Sequence, residues 1–223
     1  MTGLTKKESF LATVEPFKHL SGIEQRSLFQ LAKEMRYAKG ETIFREGDLC
    51  NAVWVVKTGR VHLMKFLSDG KVSTTCVMAP GDPFCCLPAL DGKGYPVDAV
   101  AAEESILLRV PIEAFHKAMA ASPTFSQQTL CLFCERLREV EHRSCLIHEV
   151  AETRLAQVLL TLSKKFGQTI PLTRTELAEI AGTTPETAIR TLSRFKARGL
   201  ISSSRGKTTL LNPKQLSDLL NNS

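Results

Sequence analysis

The sequence predicts an α+β fold with a β-rich N-terminal half, a long central helix, and a C-terminal part of short helices and two strands. Short β-rich runs recur about every ten residues between positions 42 and 110, and glycines separate them. Such spacing is typical of an all-β sandwich or barrel. Apolar residues at helical spacing follow Pro111, and in the C-terminal third short helical patterns alternate with turn residues.

The composition is that of an ordinary globular protein, with 43% hydrophobic and 23% charged residues among 223. The chain has no apolar run of about 18 residues and no apolar segment near its start, so we expect no transmembrane helix, no secretory signal and a cytoplasmic location. The seven cysteines are an odd number. That number argues against a disulfide framework and favours buried thiols, a metal or haem ligand, or a redox switch.

The net charge of +6 resides entirely in the last third of the chain. Residues 150–223 contain 11 Lys and Arg against 5 Asp and Glu, whereas residues 1–149 contain 18 of each. Six of the basic residues fall between Arg190 and Lys207, where no acidic residue occurs. A basic stretch beside a neutral body is expected of a nucleic-acid-binding protein, although a solvated cationic surface gives the same charge pattern.

The N-terminal half begins with helical signals and continues with strands. Ser21 and Glu24 fit a capping box, and the helix they open is predicted to continue to about Met35. An Asp-Gly pair at 69–70 predicts a hairpin turn. Strands are predicted at residues 42–44, 52–56, 61–66, 72–77 and 106–110.

Two helices follow, one over residues 111–121 and a longer one from about Pro123 into the 140s. The longer helix has apolar residues at alternating spacings of three and four, which is typical of a seam between two helices. This pattern predicts a homodimer, with a helix packed on its own domain as the alternative. Arg136 and its polar neighbours are predicted to lie on the solvent face. The seam residues are Leu130, Phe133, Leu137, Val140, Ser144 and Ile147.

The C-terminal third predicts a winged helix-turn-helix. Thr173 and Glu176 fit a second capping box, a turn containing Gly182 follows, and Thr184 with Pro185 opens a second helix over residues 186–198. Residues 200–203 and 208–211 predict a two-stranded wing, and Asn212 with Pro213 caps a last helix.

The second helix of this motif enters the major groove of double-stranded DNA. Glu186 is suited to accept a hydrogen bond from cytosine, and Arg190, one turn later, to bind guanine O6 and N7. An ordinary surface pair of opposite charges is the alternative interpretation. Candidate contacts to the DNA backbone are Thr173, Thr175, Thr184, Thr187, Arg194 and Lys207.

Two parts of the chain resemble known families. Lys-Gly-Glu-Thr-Ile-Phe-Arg-Glu-Gly-Asp at 39–48, Val-Trp-Val-Val-Lys-Thr-Gly-Arg-Val at 53–61 and Pro-Gly-Asp at 80–82 resemble the cyclic-nucleotide-binding type of barrel. Residues 175–192 resemble the winged helix of the CRP/FNR family of bacterial transcription regulators. The resemblance implies a jelly-roll-like double-stranded β-helix as sensor domain over 1–120, a dimerisation helix over 121–148 and a DNA-binding domain over 149–223. It also implies a homodimer on a near-palindromic site, with RNA polymerase as a partner if the protein activates.

The family's usual effectors match this chain poorly. Binding a cyclic nucleotide needs a Gly-Glu pair and a phosphate-binding Arg, but the chain has Cys85-Cys86 and, where the Arg is expected, Tyr95-Pro96-Val97-Asp98. A buried phosphate without a cationic partner is costly. The oxygen-sensing iron–sulfur branch needs N-terminal cysteines, and here the first cysteine is Cys50.

Haem is the effector that the resemblance favours. Gly-Asp-Pro-Phe-Cys at 81–85 resembles the segment of the carbon-monoxide-sensing haem regulators whose cysteine ligates ferric iron. We therefore expect Cys85 to be the haem ligand in a sensor of CO or NO. That group has a His two residues after the Cys, where this chain has Leu87, so Cys86, His19 or His62 is left as the second ligand.

Two alternatives to haem remain. Cys131 and Cys134, one helical turn apart beside the predicted seam, are candidates for a thiol-redox switch, and an unidentified small effector is a further alternative. An enzyme is not predicted, because the chain has no P-loop, no dinucleotide fingerprint, no H-E-x-x-H and no G-x-S-x-G motif.

Overall fold

The structure, a computed structural model, describes residues 6–66, 72–145 and 149–221. It divides into two compact units. One comprises the described residues up to Lys65 together with Thr75–Glu139, and the other comprises the described residues of Phe66–Thr74 together with those from Val140 onward. No helix among these residues is long and apolar enough to cross a membrane.

The first unit begins with α1 (Lys6–Leu11), a 3₁₀ helix (Phe17–His19) and α2 (Gly22–Leu31). Ser21 forms the predicted capping box with Glu24 at the start of α2. The prediction that this helix reaches Met35 is wrong, because Lys33–Tyr37 forms strand β1, which pairs with a later strand from Lys33↔Arg109 to Tyr37↔Ser105. Leu28 and Leu31 lie in α2 as their spacing predicts, but ladder pairing keeps the five residues Lys33–Tyr37 extended.

Two antiparallel four-stranded sheets follow, in a jelly-roll-like arrangement. The predicted strands are β2 (Thr42–Phe44), β3 (Ala52–Thr58), β4 (Val61–Phe66), β5 (Val72–Met78) and β8 (Ser105–Pro111). Two more, β6 (Pro83–Phe84) and β7 (Asp98–Ala101), were not predicted. One sheet has the order β1-β8-β3-β6 and the other β2-β7-β4-β5. The predicted hairpin turn at 69–70 lies outside the described residues.

Aromatic side chains fill the inside of this barrel. Phe44 stacks on Tyr95 with ring centroids 3.7 Å apart, and Trp54 and Phe84 lie within 6.4 Å of Phe44 by the same measure. The barrel is closed by a short helix α3 (Cys86–Asp91), then α4 (Ile112–Ala121) and the first half of α5 (Pro123–Cys145). Phe125 of α5 is fully buried in the barrel core, so this end of α5 is fixed by packing.

The second unit contains α6 (Ala151–Phe166), β9 (Thr169–Ile170), α7 (Arg174–Ile180), α8 (Pro185–Ala197), β10 (Ile201–Ser204), β11 (Lys207–Leu210) and α9 (Pro213–Asn221). The wing is a three-stranded sheet with the order β10-β11-β9. The apolar interior of the second unit includes the buried residues Leu155, Leu159, Leu177, Leu192 and Phe195. The predicted winged helix-turn-helix is therefore present.

Candidate nucleic-acid interface and sensor loop

The helix-turn-helix is set by its capping residues. The main-chain N–H of Glu176 donates to Thr173 Oγ1 over 3.2 Å, and that of Thr173 donates to Glu176 Oε2 over 2.6 Å, which fixes the start of α7. The turn to α8 passes through Gly182, whose φ of +59° is in the left-handed region. Thr184 then caps α8 by accepting a hydrogen bond from the N–H of Thr187 over 3.2 Å.

The two faces of α8 differ sharply in polarity. Ala188, Leu192 and Phe195 are buried in the core of the unit. Glu186 and Arg190 are exposed and lie one turn apart on the opposite face. Both side chains are therefore open to solvent, and their contact with base edges stays a prediction.

A cleft of about 500 Å³ lies between the start of α7, one side of α8 and the wing. Arg174, Arg205 and Lys207 line it together with hydroxyl side chains, and no acidic residue is part of its lining. Two further predicted backbone contacts, Thr173 and Thr175, also line this cleft. Cations and hydroxyl groups around an open cleft are suited to binding phosphate oxygens.

Three other predicted backbone contacts are engaged within the protein. Thr184 Oγ1 donates to Thr187 Oγ1 over 3.1 Å, so these two hydroxyl groups also serve the helix cap. The Arg194 guanidinium lies 3.1 Å from Glu152 Oε2, and Arg198 pairs with the other oxygen of the same carboxylate. Arg194 thus connects α8 to α6 in this structure.

The predicted seam on α5 is mostly open to solvent in the single chain. Leu130, Leu137, Val140 and Ser144 are exposed, as is expected of residues that a second chain covers. Phe133 is different, because it packs against the core of its own barrel. Cys131 and Cys134 are exposed, and Ile147 lies outside the described residues.

Cys85 occupies an unusual backbone position directly after β6. Its φ of 63° is the only positive φ of a non-glycine residue in the described parts of the chain. This conformation costs roughly 1–2 kcal/mol in a residue with a Cβ. The cost is tolerated here because Cys85 and Cys86 are both buried at the start of α3.

Burial dominates the acid–base chemistry of both thiols. It raises the pKa of Cys85 well above its usual range and the pKa of Cys86 to about 11. The guanidinium of Arg136 opposes this effect at both thiols, because a nearby positive charge favours thiolate. The same guanidinium donates a hydrogen bond to the main-chain carbonyl of Pro83.

The position of Arg136 corrects the expectation that it lies on the solvent face. The sequence does contain a signal for this position, because Phe125, Thr129, Leu132 and Arg136 are spaced along one face of α5. Phe125 and Thr129 are buried, and Leu132 and Arg136 are partly buried. Arg136 is thus a functional candidate that sequence reasoning missed, as are Arg174 and Arg205 in the basic cleft.

The segment that replaces the phosphate-binding Arg is built into the barrel. The Tyr95 hydroxyl donates to the carbonyl of Ala52 over 3.3 Å and accepts from Trp54 Nε1 over 3.2 Å. Burial raises the pKa of Tyr95 to about 12. Asp98 Oδ1 accepts from the main-chain N–H of Glu46 over 2.7 Å, so a carboxylate holds the turn before β3.

The histidines that were considered as haem ligands lie elsewhere in this unit. His19 Nε2 is 2.9 Å from Glu15 Oε2 at the N-terminal 3₁₀ helix. His62 is buried in β4, in the sheet that does not contain β6. Within the described residues, no group of three or more His, Cys, Asp and Glu side chains is arranged to hold a metal ion.

Two different protein families match the barrel part and the helix-turn-helix part of the chain. The cyclic nucleotide-binding domain matches residues 34–122, and the Crp-like helix-turn-helix domain matches residues 153–219. The cyclic AMP receptor protein of Thermus thermophilus is 31% identical over 74% of this chain and 77% of its own length. The chain belongs to the CRP/FNR family of transcription regulators.

Other members of the CRP/FNR family support this assignment. The transcriptional activator protein FnrA of Stutzerimonas stutzeri is 26% identical over 78% of this chain and 74% of its own length. The structure of FixK2 from Bradyrhizobium japonicum superposes with a TM-score of 0.77 at 26% identity, covering 84% of this chain and 96% of FixK2. The predicted family and fold are therefore confirmed.

Proposed function

We propose that this CRP/FNR regulator is a homodimer that binds a near-palindromic site in double-stranded DNA. The observation that supports DNA binding most directly is the exposed pair Glu186 and Arg190 on one face of α8, next to the basic cleft. Glu186 accepts a hydrogen bond from a cytosine amino group, and Arg190 donates to guanine O6 and N7. The side chains that line the cleft bind phosphate oxygens and fix the position of α8 in the major groove.

Dimerisation through α5 follows from its exposed apolar residues. Leu130, Leu137 and Val140 each leave more than half of their surface in water in the single chain. A second copy related by two-fold symmetry covers the same residues on both chains and places two copies of α8 on successive half-sites. If the dimer activates transcription, RNA polymerase is a further partner.

The salt dependence of DNA affinity tests this part of the proposal. A dimer that neutralises several phosphates releases counterions, so its affinity falls steeply between 50 and 200 mM salt, by about 10³-fold for six contacts. Fluorescence anisotropy with a labelled duplex measures the slope. An affinity that is independent of salt, or no affinity for DNA at all, contradicts the proposal.

For the effector, we propose haem with a diatomic gas, CO or NO, and with Cys85 as an iron ligand. The support is chemical: thiolate is a suitable ligand of ferric haem. Burial raises the pKa of the Cys85 thiol, and the nearby guanidinium of Arg136 opposes that rise. Haem supplies an iron atom that binds the gas. In the chain, Cys85 would hold the iron, and Cys86 or His62 would be the candidate for the second ligand. His19 fits less well, because it is paired with Glu15.

A cyclic nucleotide fits the same region less well, although the Thermus relative is named a cyclic AMP receptor protein. Asp98 presents a carboxylate in the segment where a cation is needed, and Tyr95 is held in the barrel by Trp54 and Ala52. Repulsion between a carboxylate and a phosphate disfavours binding.

A visible absorption spectrum of protein purified from haem-replete cells tests the haem proposal. We expect a stoichiometric Soret band that shifts with CO or NO after reduction and that is lost or shifted in Cys85→Ala. A featureless spectrum that persists after haem reconstitution contradicts it. The second candidate function is then thiol sensing at Cys131 and Cys134, which their exposure on α5 favours.

A further inference from the structure

Arg154, in the first turn of α6, reaches the turn of the helix-turn-helix. Its Nη1 atom donates a hydrogen bond to the main-chain carbonyl of Gly182 over 2.9 Å. The two residues are in close contact, since a Cβ atom added at Gly182 would lie 3.3 Å from the same nitrogen. The side chain of Arg154 therefore holds the main chain just before α8 begins at Pro185.

The stability of the second unit alone does not account for an arginine at this position. The Nε atom of Arg154 is buried, and the described residues offer it no hydrogen-bond acceptor. A buried donor of a charged group costs free energy when it is left without a partner. An apolar side chain of similar length avoids this cost, so the hydrogen bond to Gly182 is what an arginine adds here.

The neighbouring residue Glu152 holds the other end of α8. Its two carboxylate oxygens lie 3.1 Å from the guanidinium groups of Arg194 and Arg198, at the C-terminal end of that helix. Two side chains from one turn of α6 thus hold α8 at both ends, which prevents the helix from tilting against α6. Exposed ion pairs contribute little, so the N-terminal end of α8 depends on the contact between Arg154 and Gly182.

The end of α8 that Arg154 holds carries both proposed base-reading residues. Glu186 follows Gly182 by four residues, and Arg190 lies one turn further on. We propose that Arg154 is a positioning residue for base reading, which holds the turn so that these two side chains meet their base pairs while the cleft binds phosphates. Recognition groups must be held to within about 0.5 Å of their productive positions. This inference rests on the proposed function, because it requires α8 to lie in the major groove.

Arg154→Met tests the proposal, because methionine keeps the apolar stem of the side chain and removes its donors. A duplex is first selected from a random library with the wild-type protein. We expect the variant to bind this duplex about tenfold more weakly, as if one base pair were mismatched, and a random duplex within about twofold of the wild type. Its melting temperature stays within about 3 °C of the wild type, since the buried Nε–H is lost together with the hydrogen bond.

A second measurement separates positioning from the loss of a charge. In a variant that already lacks both base-reading side chains, Glu186→Ala with Arg190→Ala, adding Arg154→Met changes affinity for the selected duplex less than about twofold, whereas an independent contact would add its full effect. Lys164→Met is the matched control, because it removes a charge from an exposed position of the same helix and keeps the wild-type preference for the selected duplex.

Three results would show that Arg154 does not position α8: equal losses of affinity for the selected and the random duplex, a loss that follows a lowered melting temperature, or full additivity with the double variant. If the wild-type protein selects no shared sequence from the library, the proposed function itself is contradicted. The two failures are therefore distinguishable.

Discussion

The guanidinium of Arg136 donates a hydrogen bond to the main-chain carbonyl of Pro83, two residues before Cys85. Arg136 belongs to α5, whose exposed face carries Leu137. Pro83 belongs to β6, which leads directly to the two buried thiols Cys85 and Cys86 at the start of α3. One side chain therefore connects the proposed dimer helix to the segment that precedes Cys85, the proposed haem ligand.

Removing this bond destabilises the first unit. We expect Arg136→Ala to lower the free energy of unfolding by about 1.5–3 kcal/mol, the usual contribution of a hydrogen bond from a charged donor. Urea unfolding followed by Trp54 fluorescence measures the change. Arg138→Ala is the matched control, because Arg138 is exposed on the same helix, and it should shift stability by less than about 0.5 kcal/mol. Equal effects of the two variants would contradict the role of Arg136.

The buried thiol of Cys86 makes stability depend on pH in the alkaline range. Its pKa in the folded protein is about 11, above the value of roughly 8.5 in an unfolded chain. Folding therefore favours the protonated thiol. The resulting contribution to the free energy of unfolding is fully present below pH 8.5 and is lost as the pH rises through 11. We expect Cys86→Ala to lose less stability than the wild type between pH 8 and 11, by a difference on the order of 2–3 kcal/mol.

Urea unfolding at pH 8 and at pH 11 gives this difference directly. Cys131→Ala is the control, since Cys131 is exposed and its loss leaves the alkaline decline of the wild type unchanged. An identical decline in Cys86→Ala and wild type would show that the thiol does not carry the effect.

A charge in the middle of the α5 seam should separate the dimer. Leu137 is 59% exposed in the single chain, so Leu137→Asp leaves the folded protomer intact but places a carboxylate in the apolar interface. Sedimentation velocity is expected to show monomers, and affinity for a two-half-site duplex falls. Leu211→Asp, at a residue that is 58% exposed, remains dimeric. A dimer of unchanged stability in Leu137→Asp would place the interface elsewhere.

Local signals in the sequence predicted the parts of the fold that short-range chemistry determines. The capping boxes at Ser21 and Thr173 and the cap at Thr184 are all formed, because each needs only residues three apart. Strand β1 was missed because it is held by pairing with a strand about seventy residues later. Such a partner outweighs local helical spacing.

In the candidate sites, too, the sequence predicted what a single helix determines and missed what packing between elements determines. Glu186 and Arg190 were predictable, because one helix face places both side chains in solvent. The proximity of Arg136 to Cys85 depends on how α5 packs against the barrel, which no local pattern records. The heptad pattern likewise did not separate Phe133, which packs on its own core, from the exposed Leu130 and Leu137.

Removal of either base-reading side chain should lower affinity for the specific site more than for random DNA. We expect Glu186→Ala and Arg190→Ala each to weaken specific binding by about 1–3 kcal/mol, or roughly 5- to 150-fold, because a base edge loses its partner. Selection from a random library should then show relaxed preference at one base pair per half-site. Unchanged affinity and unchanged preference in both variants would refute the assignment.

Lys207 and Arg194 should differ in their effect on the salt dependence of DNA binding, although both are basic residues of the second unit. Lys207 lines the open cleft, whereas Arg194 is paired with Glu152. We expect Lys207→Ala to reduce the slope of log affinity against log salt by about two, because each of the two chains of the dimer releases one fewer counterion. Arg194→Ala leaves the slope nearly unchanged and lowers the free energy of unfolding by less than about 1 kcal/mol, as is typical of an exposed ion pair. Anisotropy titrations from 50 to 200 mM salt distinguish the two variants. If Arg194→Ala lost a full unit of the slope of log affinity against log salt, Arg194 would have to leave Glu152 and bind phosphate.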